Sequence, residues 1–419
     1  MTIRHIIKHK TQQYLTALLC LFGLSASPAQ SSEIVIATTL AQEGIQHLID
    51  EWYKQPNAVP ITTLNRTSTS INQLFSTERA NEVDLILSSS PMLFNSLQQK
   101  HILAELPDEF NVHRQFVPDI LEQHIIAFSL SGYGMLLNTD VLTKQQIAIP
   151  QSWRDLARPE MQGLVMISSP TRSDTNHIML ETILQKFGWE QGWALLNQIM
   201  ANVATISSHS FGVVDKIHSG LGGVGITIDN YANLFTGQQP TQTPLVFSYF
   251  ENFTLSPTFI ALNKNSPHLQ QAKRFIRFLL SEQGQTALNH PKMGKLPIVP
   301  LLPNDPHYDL QQQLFRQPQI DYALLLKREQ LVKLLFEQQI TYRLTQLQKN
   351  WQLLRQKESE LGQTLPELRH ILNRLPVSRE QAGNDAYLSA FQRETQLPQW
   401  QSFFNEQQLE FIRTLERLP

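Results

Sequence analysis

Cysteine is almost missing from this chain of 419 residues: Cys20 is the only one. A lone thiol excludes a disulfide framework and a thiolate metal site. Long apolar runs are missing too. The run Tyr14–Leu24 is too short to span a bilayer permanently, and nothing after it is apolar enough to try. There is no excess of positive charge: 34 Lys and Arg stand against 36 Asp and Glu, a net charge of −2. That balance argues against nucleic acid or an anionic membrane surface as a partner. Reaction signatures are equally scarce. No HExxH or GxSxG occurs, and His177, His209 and His218 lack metal-ligand spacing. Carboxylates such as Glu33 and Asp50 have no positional logic for acid–base work. The chain therefore reads as a binder without cofactor or metal, and not as an enzyme.

What the sequence does contain begins with an export segment over residues 1–29. Arg4, Lys8 and Lys10 make a charged start, Tyr14–Leu24 an apolar core, and Ser27-Pro28-Ala29 a small-residue cleavage site. The small residues argue against an uncleaved anchor. Leu18-Leu19 before Cys20 argues against a lipoprotein. Cleavage near Ala29 removes Cys20 and three positive charges but no negative ones. It leaves 31 Lys and Arg against 36 Asp and Glu, net −5. An exported chain without cysteine fits the bacterial periplasm. The remaining residues, about 390, are too many for one core, so two or three domains are expected.

Three apolar strands, Ile34–Ala37, Ile61–Leu64 and Val83–Leu87, each run into a polar loop and then a helix. This is the pattern of an open parallel α/β sheet. Ligands gather beyond the carboxyl ends of such strands, where Thr38-Thr39, Asn65–Thr69 and Ser88–Ser90 lie. From about Ile125 the pattern changes. His124–Leu130 and Tyr133–Leu137 read as paired strands around Ser131-Gly132, leading to a second lobe. An extended segment, Thr254–Leu262, returns to the first lobe, followed by a helix over Leu269–Leu280.

The segment Ser168–His177 is the most informative. A strand, Leu164–Ile167, hands over through Ser-Ser-Pro to a helix whose start carries Arg172, Ser173, Asp174 and Thr175. A helix start offers unpaired N–H groups and partial positive charge, and an arginine with two hydroxyls adds donors suited to phosphate or carboxylate. Ser173 can equally be a plain helix cap; capping alone does not call for Arg172. Each hydrogen bond to a charged group contributes roughly 1.5–3 kcal/mol, so three or four suffice for about micromolar affinity. Ser219–Gly225 superficially matches a dinucleotide loop but leads into a strand, so it reads as a turn.

Beyond Pro303 glycine nearly vanishes, and glutamine and leucine dominate. Ile340, Leu344, Leu347, Trp351 and Leu354 form a heptad-like seam. Further helices are expected over Leu365–Leu375, Asp385–Glu394 and Trp400–Leu418, separated by Pro376, Gly383 and Pro398. The simpler reading packs this tail onto the α/β lobes. The other leaves an exposed partner surface.

The order of motifs resembles a known family. Glu78–Ser90, Pro150–Leu156, Pro159–Gly163, Pro170–Thr175, Ala272–Gln285 and Leu296–Pro300 together are similar to bacterial periplasmic solute-binding proteins of the ferric-iron and phosphonate type, over Ser32–Pro303. The helical tail and the Arg-Ser-Asp-Thr loop most resemble the branch that regulates phosphoglycerate transport. The resemblance implies a type II periplasmic-binding-protein fold, two α/β lobes with a hinge, plus an all-helical C-terminal extension. Lobe 1 would comprise residues 30–130 and 257–303, lobe 2 residues 131–256, and the helical module residues 304–419. It also implies capture of a small phosphorylated carboxylate, phosphoglycerate or phosphoenolpyruvate, and signalling to a membrane histidine kinase. The alternative partner is the permease of an ABC uptake system for phosphonate or ferric iron. A periplasmic phosphohydrolase is a more distant alternative. Ferric-binding members carry two adjacent tyrosines near Tyr231, whereas this chain has Asn230-Tyr231-Ala232, a poor start for a hard ferric ion.

The expected ligand-binding residues are Arg172, Ser173 and Thr175 from one lobe, facing Thr38, Thr39, Ser89 and Ser90 from the other. Arg66, Thr67 and Ser68 lie in a matching loop, where Arg66 either neutralises a second charge or is a solvated surface residue. Asp229 and Tyr231 are candidates for contacting a ligand hydroxyl or closing the cleft, with core packing as the other reading of the tyrosine. His177 is expected to be a partly exposed helix histidine.

Overall fold

A computed structural model describes residues 33–236, 244–250 and 255–419. The export segment, Cys20 and Thr254 lie outside the described residues. In chain order, β1 (Ile34–Thr38), α1 (Gln42–Trp52), β2 (Ile61–Asn65), α2 (Ser68–Leu74), β3 (Leu85–Ser88) and α3 (Pro91–Gln99) open the fold. Then come β4 (Ile125–Asn138), α4 (Thr139–Lys144), β5 (Val165–Ser168), α5 (Asp174–Phe187), α6 (Trp189–Met200), β6 (Val203–Ser207) and α7 (Ser210–His218). β7 (Val224–Ile228), α8 (Asp229–Thr236), β8 (Leu245–Tyr249), β9 (Leu255–Leu262), α9 (Leu269–Leu280), α10 (Glu282–Leu288) and β10 (Leu296–Pro297) follow.

The strands lie in the order β2-β1-β3-β9-β4-β7-β5-β6, with β8 and β10 also paired to β4. β1, β2 and β3 are parallel to one another, as are β5, β6 and β7. β4 and β9 run against their neighbours. Strands buried on both faces need apolar residues in consecutive positions. In β1, Ile34 and Ile36 join the core formed with α1 and α9, while Ala37 turns to the opposite face with Phe94 and Leu97 of α3. In the other half, Met135 and Leu137 of β4 belong to the same apolar cluster as Trp193 of α6, while Leu136 faces the cluster of Val213 and Ile217 of α7.

β4 departs from the sequence expectation. The two strands expected around Ser131-Gly132 are one strand of 14 residues. Its first part, to Gly132, pairs with β9; from Tyr133 onward it pairs with β7 and β8. A single strand thus belongs to both half-sheets. Gly132 does not turn because its N–H is held by the Asp229 carboxylate at 2.8 Å and its neighbour Ser131 stays in register with Ser256.

The tail consists of α11 (Tyr308–Phe315), α12 (Tyr322–Gln339), α13 (Leu344–Leu361), α14 (Pro366–Asn373), α15 (Arg379–Ala382), α16 (Asp385–Ser389) and α17 (Arg393–Glu416). The expected seam breaks at Ile340, which caps α12; Leu347, Trp351 and Leu354 are buried along α13. The helix expected over Asp385–Glu394 stops at Ser389, and α17 runs through Pro398. Proline there loses one helical hydrogen bond, while buried Trp400, Phe404 and Phe411 keep the flanking turns packed. The tail packs on α5 and α6. The Trp189 indole donates to Val377 O at 2.9 Å, Arg355 donates to Asn202 at 2.9 Å, and the guanidinium of Arg328 grips buried Glu181 at 2.5–3.1 Å.

Candidate functional site

Each parallel strand ends in a polar turn that must satisfy the first N–H groups of the next helix. Thr67 accepts from Ser70 N, Ser90 from Leu93 N and Ser173 from Asn176 N, each as the N-cap residue. Pro91 at the first position of α3 suits a helix start. The loops beyond β1, β2, β3, β5, β6 and β7 meet around one cleft of about 470 Å³, a size suited to small molecules.

Thr39, Arg66, Thr67, Ser68, Ser89 and Ser90 line the cleft from the first half-sheet, and Arg172, Ser173, Thr175 and Tyr231 from the second. Thr38 and Asp229, both expected on the wall, are not on it. Thr38 is fully buried, and its hydroxyl accepts from Leu40 N at 3.0 Å. Asp229 is buried behind the wall, accepting from Gly132 N and from the Tyr249 hydroxyl at 2.9 Å. Burial pushes its carboxyl up to about 6.

Arg66 and Arg172 are both exposed and make no ion pair among the described residues. The Arg172 guanidinium donates to the Ser208 hydroxyl at 3.4 Å. Two guanidiniums from opposite walls, set among hydroxyls with one carboxylate, Asp174, on the lining, make an anion-attracting chamber. His177 is not the partly exposed residue expected. It is fully buried, and desolvation holds its ring well below the usual histidine range.

Three further residues went unnoticed at the sequence level. Asn176 is buried and donates to Ser210 at 3.0 Å, to Ser173 at 3.3 Å and to Ser168. It ties β5, α5 and α7 together. Ser210 is on the cleft wall, after another polar strand end, Ser207–His209, that repeats the pattern of the earlier loops. Lys295 is the third, a lysine between the apolar residues Met293 and Leu296. It is only 4% exposed yet lines the cleft. Its Nζ donates to Thr258 at 2.9 Å and Ser131 at 3.2 Å. Burial pushes its ammonium down to about 8.

Among the described residues, no group of three or more His, Cys, Asp or Glu could hold a metal ion. No helix among them is long and apolar enough to cross a membrane.

Residues 80–324 match the family described as bacterial extracellular solute-binding protein. The phosphoglycerate transport regulatory protein PgtC of Salmonella typhimurium is 42% identical over 394 residues, 93% of this chain and 98% of that protein. Among solved structures, the periplasmic binding protein AfuA from Actinobacillus pleuropneumoniae, with exogenous fructose-6-phosphate bound, aligns at TM-score 0.62 and 18% identity. That alignment covers 73% of this chain and 97% of that one. Iron-bound HitA from Pseudomonas aeruginosa aligns at TM-score 0.61 and 16% identity, over 72% and 97%. At these identities the structural likenesses establish the fold alone.

Proposed function

Since the chain belongs to the bacterial extracellular solute-binding proteins, with the type II periplasmic-binding fold, we propose that it is a periplasmic sensor of a small phosphorylated carboxylate. Phosphoglycerate or phosphoenolpyruvate would bind between the lobes, and closure around it would be read by a membrane histidine kinase. The carrying observation is the cleft itself, where Arg66 and Arg172, without an ion pair among the described residues, stand on opposite walls among hydroxyls. A phosphate uses several charge-assisted donors at once, and a ligand gripped from both walls favours the closed state. The phosphoglycerate-regulating relative supports this choice of ligand class. The change of partner along β4 at Gly132–Tyr133 supports lobes made of residues 30–130 with 257–303 and of residues 131–256. The helical module would be residues 304–419. Export through a leader cleaved near Ala29 belongs to the same reading.

Calorimetric titration of the chain from Gln30 tests it. The ligands are 2- and 3-phosphoglycerate, phosphoenolpyruvate, inorganic phosphate and ferric citrate. Micromolar binding of a three-carbon phosphate is expected, weakened about 10–100-fold by Arg172→Ala, the loss of one charged hydrogen-bonding group. Silence toward every ester, or iron binding indifferent to Arg172, would return the protein to uptake with a permease partner.

A further inference from the structure

A lysine ammonium has three N–H donors and strong hydration, so burying it is costly unless an anion sits close. Lys295 is buried, and its ammonium donates to two neutral hydroxyls, on Ser131 of β4 and Thr258 of β9. It makes no ion pair among the described residues; Asp229 acts on it from beyond contact distance. One donor is left over, and the residue lies on the cleft floor, where β4 passes from one half-sheet to the other.

The backbone fixes this position. Leu296 and Pro297 pair with Leu130 and Ser129 of β4, which carries Lys295 past Ser131. Gly294, at φ +59°, lets the preceding turn press on α8: a Cβ there would stand 2.9 Å from Asn230 O. The ammonium is therefore held by the hinge and not by either wall.

Resting on the phosphate reading above, we infer that Lys295 is the specificity-determining residue for a second anionic group of the ligand, a carboxylate, while Arg66 and Arg172 serve the phosphate. The cleft then selects molecules with two anionic ends. A neutral ligand end at the floor would leave the buried ammonium with Asp229 alone to offset its charge from beyond contact distance, whereas a carboxylate supplies a charged acceptor in direct contact.

The test compares 3-phosphoglycerate with glycerol 3-phosphate, which keeps the phosphate and three-carbon chain but lacks the carboxylate. The full mature chain is titrated as wild type, Lys295→Met and Lys295→Arg, with a thermal melt of each. The wild type should prefer phosphoglycerate by tenfold or more. Lys295→Met should lose about 10–100-fold for phosphoglycerate and less than threefold for glycerol 3-phosphate. Lys295→Arg should keep the preference, which a purely packing role would not require. Equal losses for both esters in Lys295→Met would overturn this assignment alone. Failure of the wild type to bind either ester would overturn the phosphate reading and this inference with it.

Discussion

Lys295 and Asp229 sit at the hinge with opposite charges, and burial displaces both toward neutrality. The lysine is brought down to about 8 and the aspartate up to about 6. The stability consequences have opposite slopes. Asp229 has a folded value above its unfolded one, so its contribution is present below about pH 4 and lost as pH rises through 6. Lys295 has a folded value below its unfolded one, so its cost is relieved as pH rises from 8 toward 10.5. For binding the direction is different. An anion on Nζ favours the ammonium, and above pH 8 the free protein must take up a proton to provide it. Arg66, Arg172 and Asp174 stand on the walls, Asp229 is already ionised, Ser131 and Thr258 are neutral, and a phosphate ester has lost its second proton. Affinity for phosphoglycerate should therefore fall about tenfold between pH 7 and 9, most of it above pH 8, and stay level in Lys295→Arg. Titration at pH 7, 8 and 9 checks this, and a level wild-type profile would contradict it. Residue-level reading missed Lys295 because its role arises from β10 pairing with β4, some 165 residues away in sequence. It overreached at Thr38 and Asp229, where a polar residue next to a cleft-lining loop serves the backbone behind the wall.

Strand-to-helix turns are the unit from which the cleft is made, and they serve two purposes at once. Ser173 caps α5 and also lies on the wall, so the plain and functional readings of that residue coexist in one geometry. Asn176 and Arg172 separate the two purposes. Removing buried Asn176 leaves the hydroxyls of Ser168, Ser173 and Ser210 without their shared donor. Asn176→Ala should then cost about 1–3 kcal/mol of stability and also weaken phosphate binding through a misplaced wall. Arg172 is exposed, and Arg172→Ala should leave the denaturant midpoint nearly unchanged while binding drops. Urea unfolding of both variants beside the titrations decides it; a shared stability loss would mean that Arg172 also holds the loop. Elements were legible where local pattern suffices. The α9 helix over Leu269–Leu280 shows its apolar face in consecutive turns, and β1, β2 and β3 each end in a polar loop. β4 was not legible as one strand, since Ser131-Gly132 is turn chemistry locally and only pairing with β9 and the bond from Gly132 to Asp229 straighten it. Pro398 misled for the same reason, its helix being held by distant aromatic packing.

Across the whole molecule the helical tail is part of the core and not an appendage. A continuous apolar cluster runs from Met135 and Val165 through Trp189 and Trp193 to Val332, Trp351 and Phe411. The tail also reaches the first half-sheet, where Phe315 stacks on Phe116 with ring centroids 5.5 Å apart and Gln319 donates to Gln115 O. A composition shift after Pro303 marked the module but could not show which helices it would cover, because burial of α6 depends on chain far downstream. This matters for any attempt to divide ligand binding from signalling by deletion. Removing residues 304–419 would expose Trp189 and Trp193 and strand Glu181, whose carboxylate is fully buried against Arg328. A buried ion pair broken from one side typically costs 3–5 kcal/mol. The deletion should therefore aggregate or melt early whatever the tail does in signalling. Arg328→Met should reproduce part of that loss, about 3–5 kcal/mol in urea unfolding. Arg328→Met combined with Glu181→Leu should recover most of it, because no charge is then left unpaired. If Arg328→Met unfolds at the wild-type midpoint, the tail is not anchored through this pair, and the deletion becomes a fair separation of the two roles.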